Sequence, residues 1–145
     1  MLKRYDFNPQ RLELELTESQ FIRDFEVAIS KMSRLKNLGL RMSLDDFGTG
    51  YSSLSRLKIL PFDQLKIDAS FVREVASSLS DAAIVKSILE LSRSLSVEVI
   101  AEGVESIDQR EALIKLGCRK FQGYLIGSPA PLAELQRQYP SLHVS

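Results

Sequence analysis

The chain holds a single cysteine, Cys118, so it can form neither an intrachain disulfide nor a zinc site built on cysteines. Its only histidine, His143, lies in the polar C-terminal tail and reads as a residue without function. Charge of one sign is also missing, since 19 acidic residues balance 19 basic ones. That balance argues against nonspecific binding to a nucleic-acid polymer and against a polybasic membrane binder. No apolar run approaches transmembrane length, and there is no signal-peptide pattern, low-complexity tract or sequence repeat. With 145 residues, the chain has room for one domain with one core, and the expected setting is a reducing cytoplasm.

What is present centres on Ser43-Leu44-Asp45-Asp46-Phe47-Gly48-Thr49-Gly50-Tyr51-Ser52-Ser53-Leu54. An apolar run from Leu40 to Leu44 reads as a buried strand, and it ends in two adjacent carboxylates. Adjacent aspartates repel, and burying one is costly unless positive charge sits nearby. A pair of hard cations is one remedy. The plainer alternative is a solvated turn in which Asp46 caps the next helix.

Around this stretch, strands alternate with helices. Residues 11–17 alternate with period two, placing Leu12, Leu14 and Leu16 opposite Glu13 and Glu15. Thr17 and Gln20 fit a capping box before a helix striped by Phe21, Phe25, Ile29, Met32 and Leu35, with Gly39 as its stop. A short helix through Leu54 and Leu57 ends at Pro61. A third strand spans 62–67. Helical segments follow at 69–75 and 81–95, the second capped by Ser80. A fourth strand covers 97–101, and a capping box at Ser106 and Gln109 opens a helix stopped by Gly117. A fifth strand covers 119–122, and a last helical piece covers 132–138. Five strand–helix units of this kind predict a parallel α/β sheet.

In a parallel sheet covered on both faces, strands should be almost wholly apolar. Four of these strands instead deliver charge at their C-terminal ends: Glu15; Asp45 and Asp46; Lys66 and Asp68; Glu102 and Glu105. Gln122 comes from the fifth. In (β/α) folds the active site forms at that rim. Carboxylates with one lysine and no histidine point to Mg²⁺ or Mn²⁺ and a phosphate-bearing substrate.

Five motifs stand in the order and spacing of one family. They are Glu15-Leu16-Thr17-Glu18, Asp45 to Leu54, Leu65-Lys66-Ile67-Asp68, Ala101-Glu102-Gly103-Val104-Glu105 and Gln122-Gly123-Tyr124. Together they resemble the EAL domain, the bacterial signalling phosphodiesterase that opens cyclic di-GMP to linear pGpG. The resemblance covers residues 11–131, with 1–10 as a lead-in and 132–145 as a C-terminal helix and tail. It implies that Glu15, Asp45, Asp46 and Glu102 are ligands of two Mg²⁺ or Mn²⁺ ions. Lys66 becomes the residue that holds and polarises the nucleophilic water, and Glu102 and Glu105 join it in the catalytic set. Glu18 becomes the anchor of the 46–54 loop. Gln122 and Asp68 become indirect metal or substrate contacts.

A whole domain of this family is a (β/α)₈ barrel of roughly 250 residues. This sequence matches its last five strands, without the Glu-Ala-Leu signature, the asparagine ligand or the guanine-binding residues of the early strands. The expectation is therefore a partial domain whose sheet edges and inner apolar positions, such as Ile67, Val99 and Ile100, lose cover. Such a chain should self-associate or take a partner segment that completes the barrel, and should turn cyclic di-GMP over poorly alone. The competing readings are a catalytically silent module that binds nucleotide or protein, and a metal-assisted phosphatase for another substrate.

Overall fold

The computed structural model describes residues 7–17, 24–48 and 53–139. Five strands lie parallel and in chain order: β1 (Glu13–Thr17), β2 (Arg41–Phe47), β3 (Gln64–Ile67), β4 (Glu98–Ala101) and β5 (Lys120–Phe121). The helices are α1 (Phe25–Asn37), α2 (Leu54–Leu57), α3 (Ala69–Arg73), α4 (Leu79–Leu95), α5 (Ile107–Leu116) and α6 (Leu132–Gln138).

The alternation within each strand separates two faces. Met42 and Leu44, Leu65 and Ile67, and Ala101 enter one core with Val72, Val75, Val85, Ile88, Leu89 and Leu113. Burying each such aliphatic side chain contributes roughly 1.5–3 kcal/mol. The intervening residues Glu13, Glu15, Ser43, Gln64, Lys66, Glu98 and Lys120 share the other face. Strand register confirms the layering, because Glu15 pairs with Ser43, Ser43 with Gln64, and Gln64 with Glu98. That polar face explains why these parallel strands are not wholly apolar.

The structure corrects several sequence expectations. Ile67 does not lose cover: it is fully buried on the helix side, and Val99 packs half-buried against the same core. Only Ile100 shares the polar face, in register with Lys66. Helix α4 is capped by Ser78, whose hydroxyl accepts the Asp81 N–H at 3.2 Å. Ser80 lies inside the first turn, because the helix starts at Leu79, a 91 % exposed apolar residue that the stripe does not include. Strands β3, β4 and β5 begin later than expected, at Gln64, Glu98 and Lys120. The Thr17–Gln20 capping box and Phe21 lie largely outside the described residues, and α1 is described from Phe25 onward with Asp24 at its N-cap. The box at Ser106 and Gln109 is present in full. Gly39 and Gly117 end their helices at φ +91° and +100°.

Candidate metal-dependent active site

Strand β2 carries one more residue than β3 can match. Leu44 pairs with Leu65 and Phe47 with Ile67, so Asp45 and Asp46 together stand opposite Lys66 alone. This is a β-bulge, a device that re-aims side chains beside active sites. Asp46 takes the left-handed backbone conformation, φ +55°, which aspartate tolerates better than most residues. Strict alternation would send adjacent aspartates to opposite faces, whereas the bulge delivers both to the polar one. Asp46 therefore does not cap the next helix; Ser53 stands at the N-cap of α2.

Lys66 projects into the resulting acidic rim. Its Nζ lies 2.7 Å from Glu102 Oε1, 2.8 Å from Glu15 Oε1 and 3.2 Å from Asp45 Oδ1. The side chain is 5 % exposed. Burial alone would lower its pKa, but the hydrogen bonds to Glu102 and Glu15 and the charges of Glu102 and Asp45 raise it well above the ordinary ammonium value. Glu102 is pushed upward by burial and by Asp45 and Glu15, against the pull of Lys66. Asp46 is pushed upward by burial, then by Asp45 and by Asp68, with which it shares a hydrogen bond.

Carboxylate oxygens of Asp45, Asp46 and Glu102 lie within 4.8 Å of one another. Asp45 Oδ1 is buried and makes no hydrogen bond, its 3.2 Å approach to Lys66 being an ion contact without hydrogen-bond alignment. An all-oxygen donor set with an unsatisfied buried oxygen fits a hard divalent cation. Glu15 stands outside that group of three, with Oε1 engaged by Lys66.

The other expected site residues are placed as follows. Asp68 caps α3, accepting the Ser70 N–H at 2.9 Å and the Ser70 hydroxyl, and it lies against Asp46. Glu105 is exposed and lines a cleft of about 350 Å³ with Glu102, Gln122 and Tyr124. The backbone of Gln122 is fixed by N–H donation to the Ala101 carbonyl and acceptance from the Val104 N–H. Glu18 and the loop residues 49–52 lie outside the described residues.

Sequence reasoning missed a second charged cluster at the opposite end of the same face. Arg41 Nη2 and Lys120 Nζ bind Glu98 at 2.7 and 2.8 Å, and Gln64 donates to Glu13 at 2.9 Å. The alternation of β1, β4 and β5 carries the signal, because it places these residues on the face of Glu15 and Lys66.

A parallel sheet whose strand tips gather one lysine and several carboxylates defines the class: a (β/α) protein with an acidic group at the strand C-termini that could hold a metal ion. The chain belongs to the EAL domain family, which matches residues 1–129. It is 46 % identical over 134 residues to the bifunctional diguanylate cyclase/cyclic di-GMP phosphodiesterase MucR of Pseudomonas aeruginosa, covering 92 % of this chain and 20 % of that protein. Among solved structures, the PaMucR phosphodiesterase in complex with c-di-GMP superposes with a TM-score of 0.88 at 46 % identity, over 92 % of this chain and 54 % of that one. The manganese/cyclic di-GMP complex of BlrP1 from Klebsiella pneumoniae gives 0.80 at 35 % identity, over 86 % of this chain and 32 % of that one. The five parallel strands and their helices thus correspond to part of the EAL domain, whose fold is a (β/α) barrel. The chain spans about a fifth of the length of the curated relatives it matches.

Proposed function

We propose that this chain carries the metal-binding rim of a cyclic di-GMP phosphodiesterase that yields linear pGpG. The observation that carries the reading is the bulged Asp45–Asp46 pair, set beside Glu102 and opposite Lys66. Asp45, Asp46 and Glu102 hold the cations, Mg²⁺ or Mn²⁺, with Glu15 completing the set from β1. Bound there, two such cations supply Lewis acidity to the phosphodiester and a more acidic water.

The chain's own residues do the rest. Lys66, with Nζ 2.7 Å from Glu102 and 2.8 Å from Glu15, is placed to donate hydrogen bonds into the rim. Its ammonium orients the attacking water and offsets charge that develops on the phosphoryl group. Glu105, Gln122 and the Tyr124 ring line the cleft into which the dinucleotide is laid. Asp68 steadies Asp46.

The partner reading rests on the sheet edges. Among the described residues β1 and β5 each pair on one side only, and unpaired edges favour strand addition. Beside β1, an open groove of about 450 Å³ runs between Leu14, Leu16 and the α1 residues Val27, Met32 and Leu35. A strand–helix unit, from a second copy or from a partner segment, fits that edge and groove.

The test is incubation of cyclic di-GMP with the chain, with and without Mn²⁺, reading pGpG by mass spectrometry. The expected result is slow, Mn²⁺-dependent release that Glu102→Gln abolishes. Binding of cyclic di-GMP without any Mn²⁺-dependent release would instead identify a silent binding module.

A further inference from the structure

Helix α3 begins three residues after Lys66 and is little more than one turn long. It nevertheless touches both segments that carry the acidic rim. On the β2 side, the Phe71 ring lies over Gly48, the residue after the bulge and Phe47. A Cβ on Gly48 would meet Phe71 Cε2 at 2.9 Å and Ile88 Cδ1 at 3.5 Å. On the β4 side, a Cβ on Gly103 would meet the Ala69 Cβ at 2.6 Å. At the far end of α3, the Arg73 carbonyl accepts from Gln109 Nε2 at 3.1 Å. The same Gln109 accepts, through Oε1, the N–H groups of Glu105 and Ser106 at 2.8 and 3.0 Å.

We propose that α3 is a bracket that sets the spacing between the bulged Asp45–Asp46 pair and Glu102, with Phe71 and Ala69 as positioning residues. The proposal rests on the metal-site reading above and deepens it. Phe71 holds the bulge from behind, where the backbone at Asp46 and Gly48 is in the left-handed region and has little regular pairing of its own. Ala69 sets the height of the Glu102-Gly103 turn, and Gln109 ties that turn back to the end of α3. Because α3 follows directly from β3, this bracket also keys both acidic segments to Lys66. A short rigid spacer of this kind controls ligand separation without touching the ion, as supporting residues around metal sites commonly do.

The experiment uses the full chain with Phe71→Ala, Phe71→Leu and Ala69→Val. Amide hydrogen exchange reads the backbone, and calorimetry with MnCl₂ reads the site. In Phe71→Ala, exchange at Phe47 and Gly48 should rise about tenfold while α4 and α5 stay unchanged. Mn²⁺ affinity should fall about tenfold, and Phe71→Leu should recover most of both effects. Ala69→Val should instead loosen Glu102 to Val104 and weaken Mn²⁺ with the bulge protected, which keeps the proposal open to test if Phe71→Ala does not fold. An unchanged bulge in Phe71→Ala, or a uniform rise through α4 and α5, overturns the bracket. Failure of the unmodified chain to bind Mn²⁺, with the local exchange pattern as expected, overturns the metal-site reading and supports α3 as a bracket on the backbone.

Discussion

Lys66 is the residue on which the acidic rim depends. Its identity and strand position are legible in the sequence, but its three carboxylate neighbours come from β1, β2 and the end of β4, and only the fold brings them within 3.2 Å. Since its folded pKa is raised, the stability it contributes is fully present below the ordinary ammonium pKa and is lost only as pH rises through the folded value. Lys66→Met should therefore destabilise the protein at pH 7.5 by about 1–2 kcal/mol, less than a fully buried pair would cost, because it leaves the partly exposed Glu15, Asp45 and Glu102 carboxylates without their counter-charge. Urea denaturation checks this, and added Mn²⁺ should recover part of the loss in the variant. Glu98, at the other end of the same face, carries the opposite linkage. Hydrogen bonds from Lys120 and Arg41 hold its pKa below the usual carboxylate range, against burial. Its contribution is present above the ordinary carboxylate pKa and lost as pH falls through the lowered one. The group is 45 % exposed, so solvent screening keeps the effect under about 1 kcal/mol. Glu98→Gln should lower stability slightly through the neutral region, by under about 1 kcal/mol, leave it unchanged below the lowered carboxylate pKa, and so flatten the acid limb of a stability-versus-pH curve.

At the scale of elements, the sequence patterns located the five strands and six α-helices among the described residues, with errors at the ends, but not the short 3-10 helix at Pro9–Arg11. Ends depend on backbone pairing and caps, which hydrophobic spacing does not report, and α4 shows this: Ser78 and Ser80 are chemically equivalent caps until the exposed Leu79 is seen inside the helix. The fifth unit depends on a close approach that composition alone does not reveal. Gly123 sits at φ +155°, and a Cβ there would lie 2.3 Å from both the N and the O of Val104. Those are backbone atoms that cannot swing aside, and they belong to the turn that β5 pins through the Val104 N–H to Gln122 carbonyl bond. Gly123→Ala should thus detach β5 and the cleft it closes, costing about 3 kcal/mol or more. Thermal melting gives the cost, and hydrogen exchange should show the loss of protection concentrated at Val104, Gln122 and Leu125.

At the scale of the molecule, a sheet with one apolar, helix-covered face and one polar face buries a real core yet, among the described residues, keeps two strand edges. Association should therefore proceed through an edge, and sedimentation velocity should show a mass that grows as concentration is raised. Replacing Leu14 with lysine on β1 should hold the chain monomeric, and an unchanged mass distribution in that variant would redirect attention to the β5 edge. The sequence by itself determined the α/β class, the parallel order, the strand ends that carry Glu15 and Lys66, and the family, because alternation and local motifs are properties of consecutive residues. It also named the aspartates, but it could not place both on one face, since alternation assigns neighbours to opposite sides. That was decided only in the tertiary structure, where β2 meets β3 with one residue too many. A bulge exists only in the register between two strands, and one strand read alone contains no record of its partner's count.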